Sequence, residues 1–564
     1  MSELPEDIQK VVMPNRWHRT WAHTFQCLPQ FYLQPDNIDQ IVSIVNHARK
    51  SRKSIMTVGS GHSPSDITMT RDYLVNLDNF NEIISENRSA DGKYTDLTVE
   101  AGIRVYQLND LLAKKHLAIQ NLGSISEQSI AGIISTGTHG SSPYHGLVSQ
   151  QIVDITLVDG MGKLVKCSPS ENPTLFRAAM LSLGKIGLIV YVTIRTVPRY
   201  QIKSRQEVIT FDTLLDQFEK IWTSDEFVRV WWFPYTERCI LWRASKTTEP
   251  ISKPRPSWYG STTGRLFYQT LLWISVHLFP RLTPYVERFV FSRQYGTSET
   301  YGHGDIAVQE SVEGLNMDCL FSQYVNEWAA PLTNGPEIIR SLRKSIEEGR
   351  KTGDFFVHSP VEVRCSNTTC SNSVEPQNLS HRTTTSAGPI YGNQLRPLLD
   401  NTPKLKWCPQ DKITNSQLTL YINATMYRPF NTKSPIRRWF TVFEETLEAA
   451  GGKPHWAKNF IGSSEAEEAA KRDAKLNGSN IQDSQMVGFK TKMNKWYGND
   501  LETYQRIRRE VDPDGVFLSG IPWARRNGIV DEEEIERVEK WRADKSDKDE
   551  VDDDDEDDDG ETQD

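Results

Sequence analysis

The stretch Val58-Gly59-Ser60-Gly61-His62-Ser63-Pro64-Ser65-Asp66 constrains this chain more than any other. Residues 38–50 place apolar side chains at helical spacing, residues 54–58 read as a short buried strand, and residues 73–77 supply a second strand. A strand running into Gly-Ser-Gly turns tightly, because glycine has no Cβ, and aims successive backbone N–H groups at one spot. That geometry receives a diphosphate, so a nucleotide cofactor is expected. The spacing matches neither the dinucleotide fingerprint G-x-G-x-x-G nor the phosphate loop G-x-x-x-x-G-K-[ST]. Two glycines also suit an ordinary turn carrying a surface histidine, and the turn alone does not separate the two readings.

With 564 residues the chain has room for two or three domains, each able to bury a core without disulfides. Its seven cysteines are odd in number and scattered. No C-x-x-C pair or histidine at zinc spacing accompanies them, so they read as intracellular thiols and no metal is expected. The N-terminal MSELPEDIQK is acidic and lacks an apolar stretch, and it resembles neither a secretory signal nor an arginine-rich transit peptide. The net charge of -9 is divided unevenly: 20 acids and 5 bases fall from Asp531 onward, leaving 60 bases against 54 acids before it. Residues 531–564 are therefore expected to be an acidic disordered tail, with eight consecutive acids from Asp552 to Asp559. No nucleic-acid partner is expected.

Strand-like and helix-like segments alternate over the first two hundred residues. Residues 97–102 read as a strand ending in glycine, and 105–115 as a helix with Leu108, Leu111 and Leu112 on one face. Residues 121–140 are rich in glycine and hydroxyls. Small residues at that density let a backbone lie against a planar ligand, or let a buried helix pack closely. A hairpin about Asp159-Gly160 and a strand at 187–194 follow. Near Tyr200 tryptophans become dense and antiparallel-looking strands appear at 228–234 and 239–244, which places a domain boundary there: 1–200, then 201–530. Residues 266–280 (LFYQTLLWISVHLFP) are the most apolar of the chain, but 15 residues fall short of the roughly 20 that cross a bilayer. A core helix and a membrane-surface helix both fit, the latter favoured by flanking Arg265 and Arg281. Residues 366–404 are expected to form a long polar loop, 418–426 a strand, and 436–449 and 501–511 helices.

Three distant motifs then converge: His62 in its glycine turn, Glu362-Val363-Arg364 in a strand, and Pro454-His455-Trp456-Ala457-Lys458. Together, in that order and spacing, they resemble the aldonolactone oxidoreductases of the vanillyl-alcohol oxidase flavoprotein superfamily. Within it the chain is most similar to the fungal D-arabinono-1,4-lactone oxidases, whose animal relative is L-gulonolactone oxidase. The resemblance runs from about Phe25 to Arg526. It implies an α+β fold: a PCMH-type FAD-binding domain of two α/β subdomains, and a substrate or cap domain on a large antiparallel sheet whose C-terminal part packs back on the first.

The resemblance also implies roles. Gly59, Ser60, Gly61 and Ser63 would hold the FAD diphosphate, and His62 would be joined covalently to the flavin 8α-methyl. Gly123, Ser124, Ser126, Gly132, Thr136, His139 and Gly140 would line the cofactor, with Ile189 at the adenine end. Glu362, Arg364 and Lys458 would be catalytic and, with Ser124, bind substrate. On a strand Glu362 and Arg364 face the same side; alone, such a pair is as easily a surface ion pair. His455 is read as structural.

The implied reaction is oxidation of an aldono-1,4-lactone at C2 by O2, giving an ascorbate analogue and hydrogen peroxide. A dehydrogenase passing electrons to another protein and a non-catalytic interaction module are the alternatives, with Gly123, where the plant dehydrogenases resemble one another in having alanine, favouring oxygen. The fungal members further imply a mitochondrial membrane location, with the aromatic segment 266–291 as the surface that docks.

Overall fold

The computed structural model describes residues 4–367, 381–384, 388–393, 395–405 and 413–543. Two short strands, β1 (Val12–Met13) and β2 (Phe31–Leu33), precede helix α1 (Ile38–Lys50), whose apolar stripe Ile41, Ile44, Val45 and Ala48 is buried. Asn37 accepts the N–H of Gln40 and so caps its first turn. Strands β3 (Ile55–Val58) and β4 (Tyr73–Asn76) complete a sheet ordered β1-β2-β4-β3, with β4 parallel to both β2 and β3. A strand-helix-strand crossover of this kind presents the turn after β3 at the sheet's carboxyl edge.

The second sheet is built from β5 (Ile83–Arg88), β6 (Thr95–Glu100), the two-residue β7 (Leu117–Ala118), β8 (Ile152–Val158), β9 (Leu164–Cys167) and β10 (Leu188–Pro198). Its order is β9-β8-β10-β6-β5, and every pairing in it is antiparallel. Helices α2 (Val105–Lys114) and α3 (Ile130–Ser135) lie between the strands in sequence. The glycine-rich stretch 121–140 thus holds a single short helix, with the rest of it irregular.

Tyr200 marks the change of texture that the sequence suggests. Beyond it one sheet of eight strands, ordered β14-β11-β13-β12-β16-β17-β15-β18, forms from β11 (Gln201–Thr210), β12 (Phe227–Phe233), β13 (Arg238–Thr247), β14 (Asp305–Glu310), β15 (Gln323–Pro331), β16 (Val361–Asn367), β17 (Leu418–Tyr427) and β18 (Lys453–Pro454). All its neighbours are antiparallel. Helix α4 (Thr262–His277) contains most of the apolar run and packs beside α5 (Thr283–Tyr295). No helix among the described residues is long and apolar enough to cross a membrane.

Two expectations are corrected. Residues 395–404, the end of the expected loop 366–404, are not loose: Leu395, Leu398 and Leu399 join the main core, and Arg396 turns inward to bond the carbonyls of Asp400 and Thr402. Polar composition misleads there because the segment satisfies its own donors inside the protein. The tail does not begin at 531 either. Helix α6 (Glu532–Ala543) buries Ile535 and Val538, and Arg542 bonds the carbonyls of Gly515 and Leu518. The acid run 552–559 lies outside the described residues. The segment before this helix does pack back on the first sheet: Ile55 N–H donates to Val516 O at 2.7 Å, and Arg49 meets Asp514 at 2.5 Å.

Burying Ile535 and Val538 is worth about 1.5–3 kcal/mol each. A chain ended after Val530 is expected to melt at least several degrees below the full chain, whereas one ended after Ala543 is expected to melt with it. Thermal denaturation of the three proteins checks this.

Candidate active site

The turn after β3 takes its shape from two glycines. Gly61 adopts φ +73°, a left-handed conformation that favours glycine, and a Cβ there would lie 2.9 Å from the carbonyl of Arg19. A Cβ on Gly59 would lie 2.5 Å from Oγ of Ser129, the residue that caps α3 by accepting the N–H of Gly132. So the turn can press against the start of that helix only because Gly59 has no side chain. Asn76, at the end of β4, donates to the carbonyls of Val58 and Gly59 and fixes the entry of the turn.

Between the two sheets of the first half runs a cleft of about 950 Å³. Gly59, Ser60, Gly61, His62 and Ser63, Gly132 and Thr136, and Ile189 all line it. Ser60 Oγ, Ser65 Oγ and His62 Nδ1 are buried and bonded to nothing in the described protein. Buried polar atoms without partners are rare. Ser60 and His62 line the cleft, and their unpartnered atoms fit a large polar cofactor of the FAD type, whose diphosphate oxygens and ring heteroatoms would supply those partners.

A second cavity of about 1110 Å³ lies against the large sheet, and His62 and Gln128 line both spaces. The register of the sheet builds its wall. Trp231 of β12 stands opposite Glu362 of β16, Glu362 opposite Asn423 of β17, and Asn423 opposite Glu327 of β15. In antiparallel strands such a row shares one face. Arg364, two residues beyond Glu362, points to the same side, and the loop after β18 adds His455 and Lys458.

The two halves are stitched together at this point. Asn459, wholly buried, donates to the carbonyl of Pro64 in the glycine turn at 2.8 Å and accepts the N–H of Val325 on β15 at 3.1 Å. Met317 N–H donates to the carbonyl of Ser124 at 2.8 Å.

At the centre is Glu327, 1% exposed. One of its oxygens accepts from Arg364 Nη2 at 2.5 Å and lies 3.3 Å from His139 Nε2, and the other lies 3.5 Å from Lys458 Nζ. Burial alone would raise its pKa, but Arg364, Lys458 and His139 outweigh that and hold the carboxyl well below its ordinary range. Burial would likewise lower the Arg364 guanidinium, yet Glu362 and Glu327 keep it above its usual value. Arg364 also reaches Glu362 at 3.4 Å and Ser124 Oγ at 3.5 Å. Trp231 Nε1 donates to Glu362 at 3.2 Å. His139, His455 and Glu327 come close enough to hold a cation, but the charges of Arg364 and Lys458 beside them oppose one.

His62 stacks on Trp21, ring centroids 5.3 Å apart. Burial, together with Arg104 and Lys458, lowers its pKa to about 4, so the ring is neutral at physiological pH. Burial also takes His455 down to about 3, and its Nδ1 accepts the N–H of Ala457 at 3.2 Å, a bond internal to its own loop.

Of the residues singled out from sequence, the 59–63 turn, Gly132, Thr136 and Ile189 line the cofactor-sized cleft, while Glu362, Arg364 and Lys458 line the second cavity. Gly123, Ser124 and His139 lie in that second cavity instead of the first. Gly140 and Ser126 line neither. Gly140 packs on Asn121, whose Oδ1 would sit 2.2 Å from an added Cβ, so its glycine serves close packing. Ser126 Oγ is buried and unbonded in the described protein.

Sequence reasoning missed Glu327, Asn459 and Gln128. Only Glu327 carried a signal: an acid inside the apolar strand Val325-Asn326-Glu327-Trp328-Ala329-Ala330.

Comparison with known proteins agrees with this division into two spaces. A family model described as "FAD binding domain" matches residues 29–168, and one described as "D-arabinono-1,4-lactone oxidase" matches residues 192–527. Among curated relatives, the D-arabinono-1,4-lactone oxidase of Candida albicans is 55% identical, covering 94% of this chain and 100% of that one. That of Kluyveromyces lactis is 57% identical over 91% and 97%, and that of Saccharomyces cerevisiae 53% over 92% and 97%.

Among solved structures, a solvent-stable cholesterol oxidase superposes with TM-score 0.69 at 15% identity, covering 94% of this chain and 99% of that one. The cholesterol oxidase of Brevibacterium sterolicum gives 0.68 at 15%, over 93% and 98%. Those two establish the fold, a PCMH-type FAD-binding fold with a large antiparallel sheet, and nothing about substrate. The sequence matches go further, spanning both the cofactor-sized cleft and the acid-lined cavity: the chain belongs to the D-arabinono-1,4-lactone oxidase family.

Proposed function

We propose that this protein oxidises D-arabinono-1,4-lactone, and related aldono-1,4-lactones, at C2 with O2, forming the 2-keto lactone, which tautomerises to the enediol of an ascorbate analogue, and hydrogen peroxide. The observation that carries the reading is the junction: one cleft suited to FAD adjoins a second cavity walled by Glu362, Arg364 and Lys458, with His62 lining both. FAD, when bound, supplies the acceptor for two electrons and passes them to oxygen. The chain's own residues bind and orient. Glu362 and Ser124 take hydroxyl hydrogens of the lactone, Lys458 donates to its oxygens, and the permanently charged Arg364 favours negative charge that develops at its side of the cavity. The C2 hydroxyl loses a proton in the overall reaction, and the Glu362 carboxylate on the wall is its first acceptor. Lactone-dependent oxygen uptake by the purified protein, with peroxide formed in equal amount, tests the reading.

His62 is assigned as the covalent attachment point for the flavin. A neutral imidazole with an unbonded, buried Nδ1 at the mouth of the cleft supports this, since the unprotonated ring is the nucleophile. Protein precipitated in acid is expected to stay yellow, and His62→Ala to release its FAD into the supernatant. Because the ring titrates near pH 4, attachment is expected to proceed equally from pH 6 to 8. Free flavin from the unsubstituted protein would remove the assignment.

Gly123 supports oxygen as the acceptor, since no side chain narrows the cavity there. An alanine methyl at this position would come within 2.8 Å of Thr138 Cγ2. Gly123→Ala combined with Thr138→Ser, which removes that contact, is therefore expected to keep its stability, to be reduced by lactone at nearly the normal rate and to react with oxygen at least tenfold more slowly. Anaerobic stopped-flow reduction followed by mixing with oxygen measures the two steps. Equal loss in both would place oxygen entry elsewhere.

Association with a mitochondrial membrane surface completes the reading. It is supported by the exposed apolar side chains of α4 and α5. Leu266, Phe267 and Phe289 are all about half exposed, as are Leu278 and Phe279 just beyond α4. Phe267 and Phe289 adjoin, their centroids 6.1 Å apart. So dense an apolar patch marks an interaction surface. Replacing Phe267, Phe279 and Phe289 with serine is expected to cut recovery with phospholipid vesicles in flotation at least fivefold while leaving lactone oxidation intact. Unchanged flotation would clear the patch of this role.

A further inference from the structure

Glu327 belongs to none of the motifs that carry the resemblance, yet both cations of the cavity wall, Arg364 and Lys458, are arranged about it. The carboxylate divides its work. One oxygen holds the guanidinium of Arg364 and faces the His139 ring; the other faces only the Lys458 ammonium, at 3.5 Å, and has no hydrogen bond in the described protein. Its peptide does the rest, for the Glu327 carbonyl accepts His455 N–H at 2.8 Å, and the His455 carbonyl accepts Lys458 N–H at 3.0 Å. The strand itself is anchored from behind, where Asn326 bonds Glu444 and Trp328. Two cations turned into one buried cavity repel each other strongly unless an anion lies between them.

The geometry points to Glu327 as a positioning residue, a shared counter-ion that fixes Arg364 through one oxygen and steers Lys458 through the other. A purely structural ion pair would bury both partners away from the cavity. Here both cations stay on its wall, and the ammonium is held by charge alone, free to reach a ligand. The consequence for lactone oxidation rests on the function proposed above; the charge balance does not. This residue acts on substrate through Arg364 and Lys458.

The test uses the flavin-loaded full chain and two readouts. Sulfite, an anion whose binding is followed by loss of the flavin's visible absorbance, reports the charge of the wall without any lactone. Glu327→Gln removes one negative charge and keeps the shape, so its sulfite dissociation constant is expected to fall at least tenfold. Glu327→Asp keeps the charge but draws it back by one methylene. Its sulfite affinity is expected to stay within threefold of normal while lactone-driven anaerobic reduction slows at least tenfold; in Glu327→Gln that reduction slows at least a hundredfold. Sulfite affinity within twofold of normal in a flavin-loaded Glu327→Gln protein, or no sulfite binding by either protein, overturns the charge assignment. Full reduction rate in Glu327→Asp overturns the positioning. If Glu327→Gln fails to keep its flavin, the Asp variant decides alone. Should the unsubstituted protein bind sulfite but not be reduced by lactone, the substrate reading fails, and the sulfite comparison still decides the role of Glu327.

Discussion

A carboxylate with 1% of its surface exposed, ringed by Arg364, Lys458 and His139, is the interaction on which the site depends. Taking such charges out of water costs several kcal/mol per ion, recovered only if each finds an opposite charge at close range. Breaking one member of a buried set typically costs about 3–5 kcal/mol, because the others are left uncompensated. The large sheet satisfies that demand by register. Since β15, β16 and β17 pair without a bulge across Glu327, Asn423 and Glu362, side chains from strands far apart in sequence converge on one face. A slip of one residue in any of these strands would turn its polar groups into the core.

The same constraint explains why the halves of the molecule meet where they do. Arg364 leans on Ser124 from the glycine-rich stretch of the first half, and Asn459, next to Lys458, is bonded to the glycine turn at Pro64. A wall of fixed charges is useful only if its distance from the cofactor cleft is equally fixed. Asn459 supplies that tie with one side chain: its amide donates to the turn while its oxygen accepts from the strand that carries Glu327. Neither bond leaves room for the cavity to widen without exposing a buried amide.

The parts of the site that were legible in the sequence are local ones. His62 directly after Gly-Ser-Gly, Glu362 and Arg364 two apart on a strand, and Lys458 after His-Trp-Ala each declare themselves within a few residues. Strands and helices with clean periodicity were legible for the same reason, as with α1 and its stripe at 41, 44, 45 and 48. What escaped is defined by distant partners. Glu327 acquires its meaning from residues 37 positions later and 188 earlier, and Asn459 from Pro64, 395 residues away. Residues 395–404 read as part of a loop because nothing in a polar composition says that Arg396 will bond its own segment's carbonyls. Gly140 shows a second kind of distance effect. A glycine in a cofactor-like context reads as lining, and the structure adds a packing reason for it, since Asn121 fills the space a Cβ would take.

Tyr427 shows how little separates the outer surface from the site. It lines the second cavity, yet its ring also meets Phe321 edge-on, centroids 5.3 Å apart, in a cluster with Tyr268 and Leu272 of α4 and Val290 of α5. Those two helices carry the exposed apolar patch on their other side. The loop between β14 and β15 runs along the same boundary: Leu320 packs in that cluster and also lines the cavity, while Asp318, another lining residue, pairs with Arg265 at the start of α4. Close-packed interiors transmit displacement because they have no slack to absorb it. A surface that seats α4 and α5 therefore bears, through one layer of side chains, on the strand β17 that carries Asn423 of the polar row. The apolar patch and the cavity are two faces of the same packed layer.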